Sequence, residues 1–227
     1  MSQFPPHERS AGPPQTSSHR SAKHEGSPIS SALDEEIARA EVYGLLARLW
    51  YAAPDAELLG AFSVAPTEAP AAGAFLEEPW RQLVGVARGT DAAALHAEYD
   101  ALFGGMGKPE IYLFGSHYLS GFLNDKPLAQ LRTDLARLGL ARGDAVSESE
   151  DHIACLFEVM RYLIAGDDAA VSNLAQQQTF FAAHLQSWLP TLCDAVAQHP
   201  KAHFYASLAV FTRAFAEVEV QGFDMLG

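Results

Sequence analysis

The amino-acid sequence predicts an all-α fold: one globular helical domain behind a disordered N-terminal arm. Three observations lead there. From residue 33 onward nearly every segment spaces its apolar residues by three and four, as a helix face does. No run alternates convincingly with the period of two expected of a strand. The opening stretch, residues 1–32, is rich in Pro, Ser and Gly and too poor in apolar side chains to fold. The chain of 227 residues therefore divides into an arm, 1–32, and a helical domain, 33–227, of ordinary single-domain size.

Residues 33–51, LDEEIARAEVYGLLARLWY, set Ala38, Val42, Leu45, Leu46 and Leu49 on one face, with Ser31 and Asp34 as N-terminal cap and acidic first turn. Residues 71–88 and 91–103 are two further helices, the second ending in EYDALF before Gly104. Residues 104–115, GGMGKPEIYLFG, are a loop by their glycines and Pro109, yet carry Tyr112, Leu113 and Phe114. Ser116 starts a short helix, SHYLSGFLN. Pro127 fits the first turn of the next, whose stripe of Leu128, Leu131, Leu135 and Leu138 stops at Gly139. After a polar linker around 143–147, the stretch SESEDHIACLFEVM begins another helix. Ser147 and Glu150 have capping-box spacing, and Glu148, Glu150 and Asp151 favour the positive end of the helix dipole. Its core face is Ile153, Leu156, Phe157, Met160 and Ile164. Two long helices close the chain. One carries Val171, Leu174, Gln178, Phe181, Leu185 and Trp188 and stops near Pro190; the other repeats Phe204, Leu208, Phe211, Phe215 and Val218. No internal repeat is present.

Composition narrows the function. There are 28 acidic and 15 basic residues, a net charge of −13 at pH 7. The arm holds Arg9, Arg20 and Lys23 against Glu8 and Glu25, so the domain itself carries 12 basic and 26 acidic residues, −14. Such a body repels phosphate backbones, which argues against nucleic acid and is compatible with a cationic peptide or protein. Cys155 and Cys193 lie in apolar helical patterns without CxxC spacing and read as buried free thiols in a reducing cytoplasm. No stretch reaches the ~18–20 continuous apolar residues of a membrane span. The N-terminus lacks the apolar core of a signal peptide. Its His7, His19 and His24 read as part of a solvated tail.

Enzymatic motifs fail one by one. Glu148 and His152 stand four apart where a di-metal bundle needs Glu-x-x-His pairs on two helices; HExxH is absent. His199 and His203 are interrupted by Pro200. In GGMGKP, Pro109 occupies the Ser/Thr position of a phosphate loop and Leu102 that of its first glycine. No Ser-His-Asp order or GxSxG elbow is seen. The expectation is no catalysis, no metal and no cofactor. Two points stay open on the residues alone. His152 falls at the rim of its helix's apolar face, as a structural hydrogen-bonder or as a base or ligand. The aromatic loop either plugs the core or offers an apolar, acid-rimmed surface to a peptide.

Two signatures resemble the TorD/DmsD/NarJ-type redox-enzyme maturation chaperones: EYDALFGG with an aromatic loop and GSHYL, residues 98–119, and Glu148-x-x-Asp151-His152. The likeness covers roughly residues 33–227. It implies a cytoplasmic protein that binds an immature molybdenum-cofactor oxidoreductase, often by its twin-arginine signal peptide, and holds it until the cofactor is inserted. By motif, Tyr99, Leu102, Phe103, Phe114, Gly115 and Ser116 would line the peptide-binding region and Asp151 and His152 complete it. Ser149 replaces a proline frequent in the family, and the loop lacks the tryptophan of some members. Residues 115–165 look most like members accompanying formate dehydrogenases. A monomer and a domain-swapped dimer are both compatible with the family. The alternatives are an assembly factor for the mature part of a redox subunit and a helical metal-dependent enzyme.

Overall fold

The structure is a computed structural model that describes residues 28–67, 74–104, 108–143 and 146–225. Among these residues the regular elements are all helices, and extended pairing among them is limited to one isolated bridge. The disordered arm assigned to 1–32 lies outside the described residues up to position 27. Helix α1, Pro28–Tyr51, is already running at 28. Ser31 and Asp34 therefore stand inside the helix, past its first residue.

Helix α1 packs along α7 (Ile153–Ala165), and α10 (Phe204–Asp224) packs on α3 (Ala74–Arg88) and α9 (Leu189–Ala197). The buried face of α1 is Ala40, Tyr43, Leu46, Ala47, Leu49 and Trp50, while Ala38 is exposed and Val42 and Leu45 are half-buried. The shift from the expected aliphatic stripe has a plain cause: α1 is covered on two sides. Tyr43 meets Phe157 of α7 at 5.8 Å and Phe215 of α10 at 4.9 Å. The Trp50 indole donates to Thr212 Oγ1 of α10 at 3.0 Å. A buried ion pair joins the same helices: Arg39 donates Nε and Nη2 to the two Glu219 oxygens at 2.8 and 2.7 Å, and the Tyr43 hydroxyl adds a bond at 2.9 Å.

Helix α2, Ala56–Val64, was not expected from the sequence. Asp55 caps it, its carboxylate accepting the Leu58 amide at 2.8 Å, and it buries Leu58 and Phe62. The expected helix through 171–188 is divided. Helix α8 spans Leu174–His184, and Pro190 stands in the first turn of α9 instead of ending its predecessor. Proline suits that position because its missing N–H has no intrahelical acceptor there. The Trp188 indole N–H reaches the His184 carbonyl at 2.6 Å and satisfies backbone freed at the break. Helix α6, Lys126–Arg137, follows the sequence closely: Pro127 is in its first turn, Leu128, Leu131 and Leu135 are buried, and Gly139 takes a φ of 70° beyond its end.

Helix α4, Ala92–Phe103, carries the EYDALF that opens the first signature, and its residues staple other helices. The Glu98 carboxylate accepts the backbone amides of His203, Phe204 and Tyr205 at 2.8, 3.2 and 2.9 Å, closing the N-terminus of α10. A carboxylate there satisfies orphan amides and faces the positive end of the helix dipole. Glu98→Ala is expected to cost about 2 kcal/mol in urea unfolding, the upper end for a lost cap. A loss below about 0.5 kcal/mol would show that water replaces it.

Candidate functional site

The second signature does not begin a helix at Ser147. Residues 146–151 form turns and bends, and α7 starts at Ile153 with His152 as its N-cap. The capping box of Ser147 and Glu150 is thus corrected. The Ser147 hydroxyl lies 3.3 Å from the Tyr51 hydroxyl, and Glu150 is held by Arg132 at 2.9 Å. The reason is competition: the extended pairing of 151–153 with the aromatic loop takes the backbone that a longer helix would have used.

That pairing organises the site. Gly115 donates its amide to the Asp151 carbonyl and Ile153 to the Leu113 carbonyl, each at 2.9 Å, flanking an antiparallel bridge between Phe114 and His152. The Asp151 carboxylate accepts the Ser116 amide on one oxygen at 2.9 Å and the Ser149 hydroxyl on the other at 2.6 Å. Asp151 is 3% exposed and Ser116 fully buried. Gly115 opens helix α5, Gly115–Ser120, and packs closely there: a Cβ would stand 3.2 Å from the Trp188 indole, which would have to shift to admit it.

His152 is buried, not at a rim. Its ring lies edge-on to Phe114 at 5.1 Å and to Tyr51 at 6.0 Å, and Nδ1 accepts the Ala154 amide at 3.2 Å. Burial lowers its pKa to about 4, against a partial opposing pull from Asp151. An unprotonated Nδ1 at the positive end of α7 accords with that direction. The unfolded chain takes up this proton near pH 6.5 and the folded chain only near pH 4. Stability is therefore full above about pH 6.5 and falls by about 3 kcal/mol as pH drops to about 4. His152→Gln should flatten that part of the profile of midpoint against pH.

The loop resolves toward the core: Ile111 and Leu113 are buried, Tyr112 and Phe114 half-buried, and the Ile111 amide returns to the Leu102 carbonyl at 3.0 Å. On α4, Leu102 is fully buried, Phe103 packs on Tyr205 at 5.1 Å, and the Tyr99 hydroxyl donates to the Tyr51 carbonyl at 2.7 Å. Of the residues singled out by motif, Phe114, Gly115, Ser116, Asp151 and His152 form one unit. Tyr99, Leu102 and Phe103 belong to a neighbouring one, linked to it through the end of α1. Only Tyr99, Phe103 and Phe114 reach solvent, and each only partly.

Sequence reasoning missed the concave surface beside this unit. A cavity of about 600 Å³ lies between the C-terminal end of α1, the start of α2, the end of α6, the segment after it and one side of α7. Ala47, Tyr51, Leu58, Leu140, Val159 and Tyr162 give it an apolar lining, and Glu150, Ala154 and Cys155, neighbours of Asp151 and His152 in the chain, form one wall. Leu140 shortly before, and Val146 within, a segment read as a polar linker were the available signal. Cys155, expected to be buried like Cys193, is half-exposed to this cavity. Partial burial, with nearby carboxylates, pushes its thiol up to about 11, so it is neutral and a weak nucleophile. Among the described residues no group of three or more His, Cys, Asp and Glu could hold a metal, and no helix is long and apolar enough to cross a membrane.

Known proteins place this arrangement in a family. The chain is 29% identical over 135 residues to the chaperone protein TorD of Aliivibrio fischeri, covering 56% of this chain and 63% of that protein. It is 29% identical over 112 residues to the chaperone protein TorD of Vibrio cholerae, covering 47% and 51%. The matches thus span less than two thirds of those relatives. A crystal structure described as a redox enzyme maturation protein from Archaeoglobus fulgidus shares the all-helical fold, with a TM-score of 0.52 and 20% identity over 80% of this chain and 93% of that one. The nitrate reductase delta subunit family matches residues 70–194, more than half of the 227, and the chain belongs to that family.

Proposed function

We propose that this protein is a cytoplasmic chaperone for the maturation of a molybdenum-cofactor oxidoreductase, and that it binds the client's twin-arginine leader until the cofactor is inserted. The carrying observation is the apolar cavity that lies next to the second signature, in a chain whose curated relatives are chaperones by name. An apolar leader segment would gain by leaving water there. The excess of carboxylates on the body would draw the leader's arginines toward the surface. In this reading Tyr99, Phe103 and Phe114 offer aromatic edges to the peptide, while Leu102, Gly115, Ser116, Asp151 and His152 act from beneath by holding the segments in place. Formate dehydrogenase is the client class favoured by the texture of residues 115–165.

Calorimetric titration with leader peptides from molybdenum oxidoreductases, formate dehydrogenase included, tests this. Saturable binding of one leader, lost when its arginines or its apolar core are replaced, is the expected result. Binding of the leaderless apo-enzyme with none to any leader would overturn the leader claim and transfer recognition to the mature subunit.

A further inference from the structure

The charges around the cavity are not equivalent. Asp55 spends its carboxylate on the Leu58 amide, Glu150 is held by Arg132, and Glu158 by Arg161 at 2.8 Å. The Arg142 guanidinium donates to the Val146 and Glu148 carbonyls at 2.8 and 3.2 Å. Arg48 differs. It lines the cavity, is exposed, and its side chain has no hydrogen-bond or ion-pair partner among the described residues.

An unengaged guanidinium at the edge of an apolar hollow is matched best by a carboxylate, whose two oxygens fit its fork and whose attraction strengthens as water is displaced. The chain's net charge of −13 works against any freely diffusing acid. A carboxylate reaching Arg48 therefore has to be seated by apolar contacts rather than steered, which requires it to be attached to an apolar segment. The shape agrees with a chain segment: the lining follows α7 from Ala154 to Tyr162, about 12 Å at about 1.5 Å per residue. Tyr51 and Tyr162, each 40% exposed, supply aromatic surface on α1 and α7 at its border.

We propose that the cavity receives an apolar client segment bearing an aspartate or glutamate at its flank, and that Arg48 is the specificity-determining residue that reads this carboxylate. The inference rests on the maturation reading for the source of the segment. It also places any arginines of that segment away from Arg48.

The test uses the full chain and fluorophore-labelled, leucine-rich helical peptides that differ only in one flanking Glu, Gln or Lys, read by anisotropy. The wild type should bind the Glu peptide about tenfold more tightly than the Lys peptide, the scale of one charge-assisted contact. Arg48→Ala should abolish the preference and Arg48→Glu reverse it. Arg48 is exposed, so both variants should keep the wild-type melting temperature. Equal binding of the three peptides, the same order in Arg48→Glu, or no peptide binding would each overturn the inference. Co-expression with an apo-oxidoreductase separates the two readings: client capture by the wild type without peptide discrimination removes the role of Arg48 and leaves the chaperone standing. Absence of both removes both.

Discussion

Glu219→Ala is expected to lower the stability of the protein by about 3–5 kcal/mol, the range for breaking a buried ion pair from one side. Glu219 is 4% exposed and accepts two bonds from Arg39 and one from Tyr43. Its removal leaves a largely buried guanidinium without a counter-ion and a fully buried phenol without an acceptor. Burial first, and the Glu219 carboxylate second, hold the Tyr43 hydroxyl far above the ordinary tyrosine range, and the burial remains in the variant. The Arg39 guanidinium also lies over the Phe223 ring at 5.7 Å, so it is constrained on both sides. The loss should appear as a lower urea midpoint with an unchanged slope. A triple replacement, Arg39→Met with Tyr43→Phe and Glu219→Leu, should recover most of it, because no charge or hydroxyl is left unpaired. A Glu219→Ala loss under about 1 kcal/mol would mean that water reaches Arg39 and that the clasp between α1 and α10 is weak.

Asp151→Ala should cost about 2–4 kcal/mol, the sum expected for orphaning one buried amide and one hydroxyl of a charged hydrogen-bond pair. The Ser116 amide loses its acceptor in a position without solvent, and the Ser149 hydroxyl loses the contact that shapes the turn before α7. Asp151→Asn keeps an acceptor for Ser116 and a donor toward Ser149, and should lose about 1 kcal/mol. The pair of variants separates two roles for the signature. If Asp151 acts by holding the aromatic loop to α7, leader affinity measured below the unfolding transition should follow stability, falling in Asp151→Ala and surviving in Asp151→Asn. If its charge reads the leader directly, Asp151→Asn should lose affinity as much as Asp151→Ala while remaining folded.

The all-helical class and most helix positions were legible because they rest on local rules. Pro127, the leucine stripe of α6 and Gly139 specify one helix by capping and periodicity alone, and they hold in the structure. The apolar repeat of α10 fared nearly as well, save that Glu219 and not Val218 is buried. Periodicity counts apolar residues and cannot see that Arg39, distant in the chain, makes a buried carboxylate tolerable. The start of α7 failed for a related reason. SESEDH satisfies the local grammar of a helix start, but a strand-like partner at 113–115 offers its backbone better bonds. The division of 171–188 needed Trp188 to find the His184 carbonyl.

The same distinction separates the parts of the site. Residue types and spacing determined by themselves that this is a helical, acidic chain without a recognisable catalytic motif, whose two signatures resemble one chaperone family. Only the tertiary structure decided that Asp151 and His152 face inward, that Glu98 serves α10, and that the concave surface lies next to the signatures rather than on them. Cavities and buried polar pairs are formed by residues far apart in sequence, and their energies depend on which groups are removed from water together.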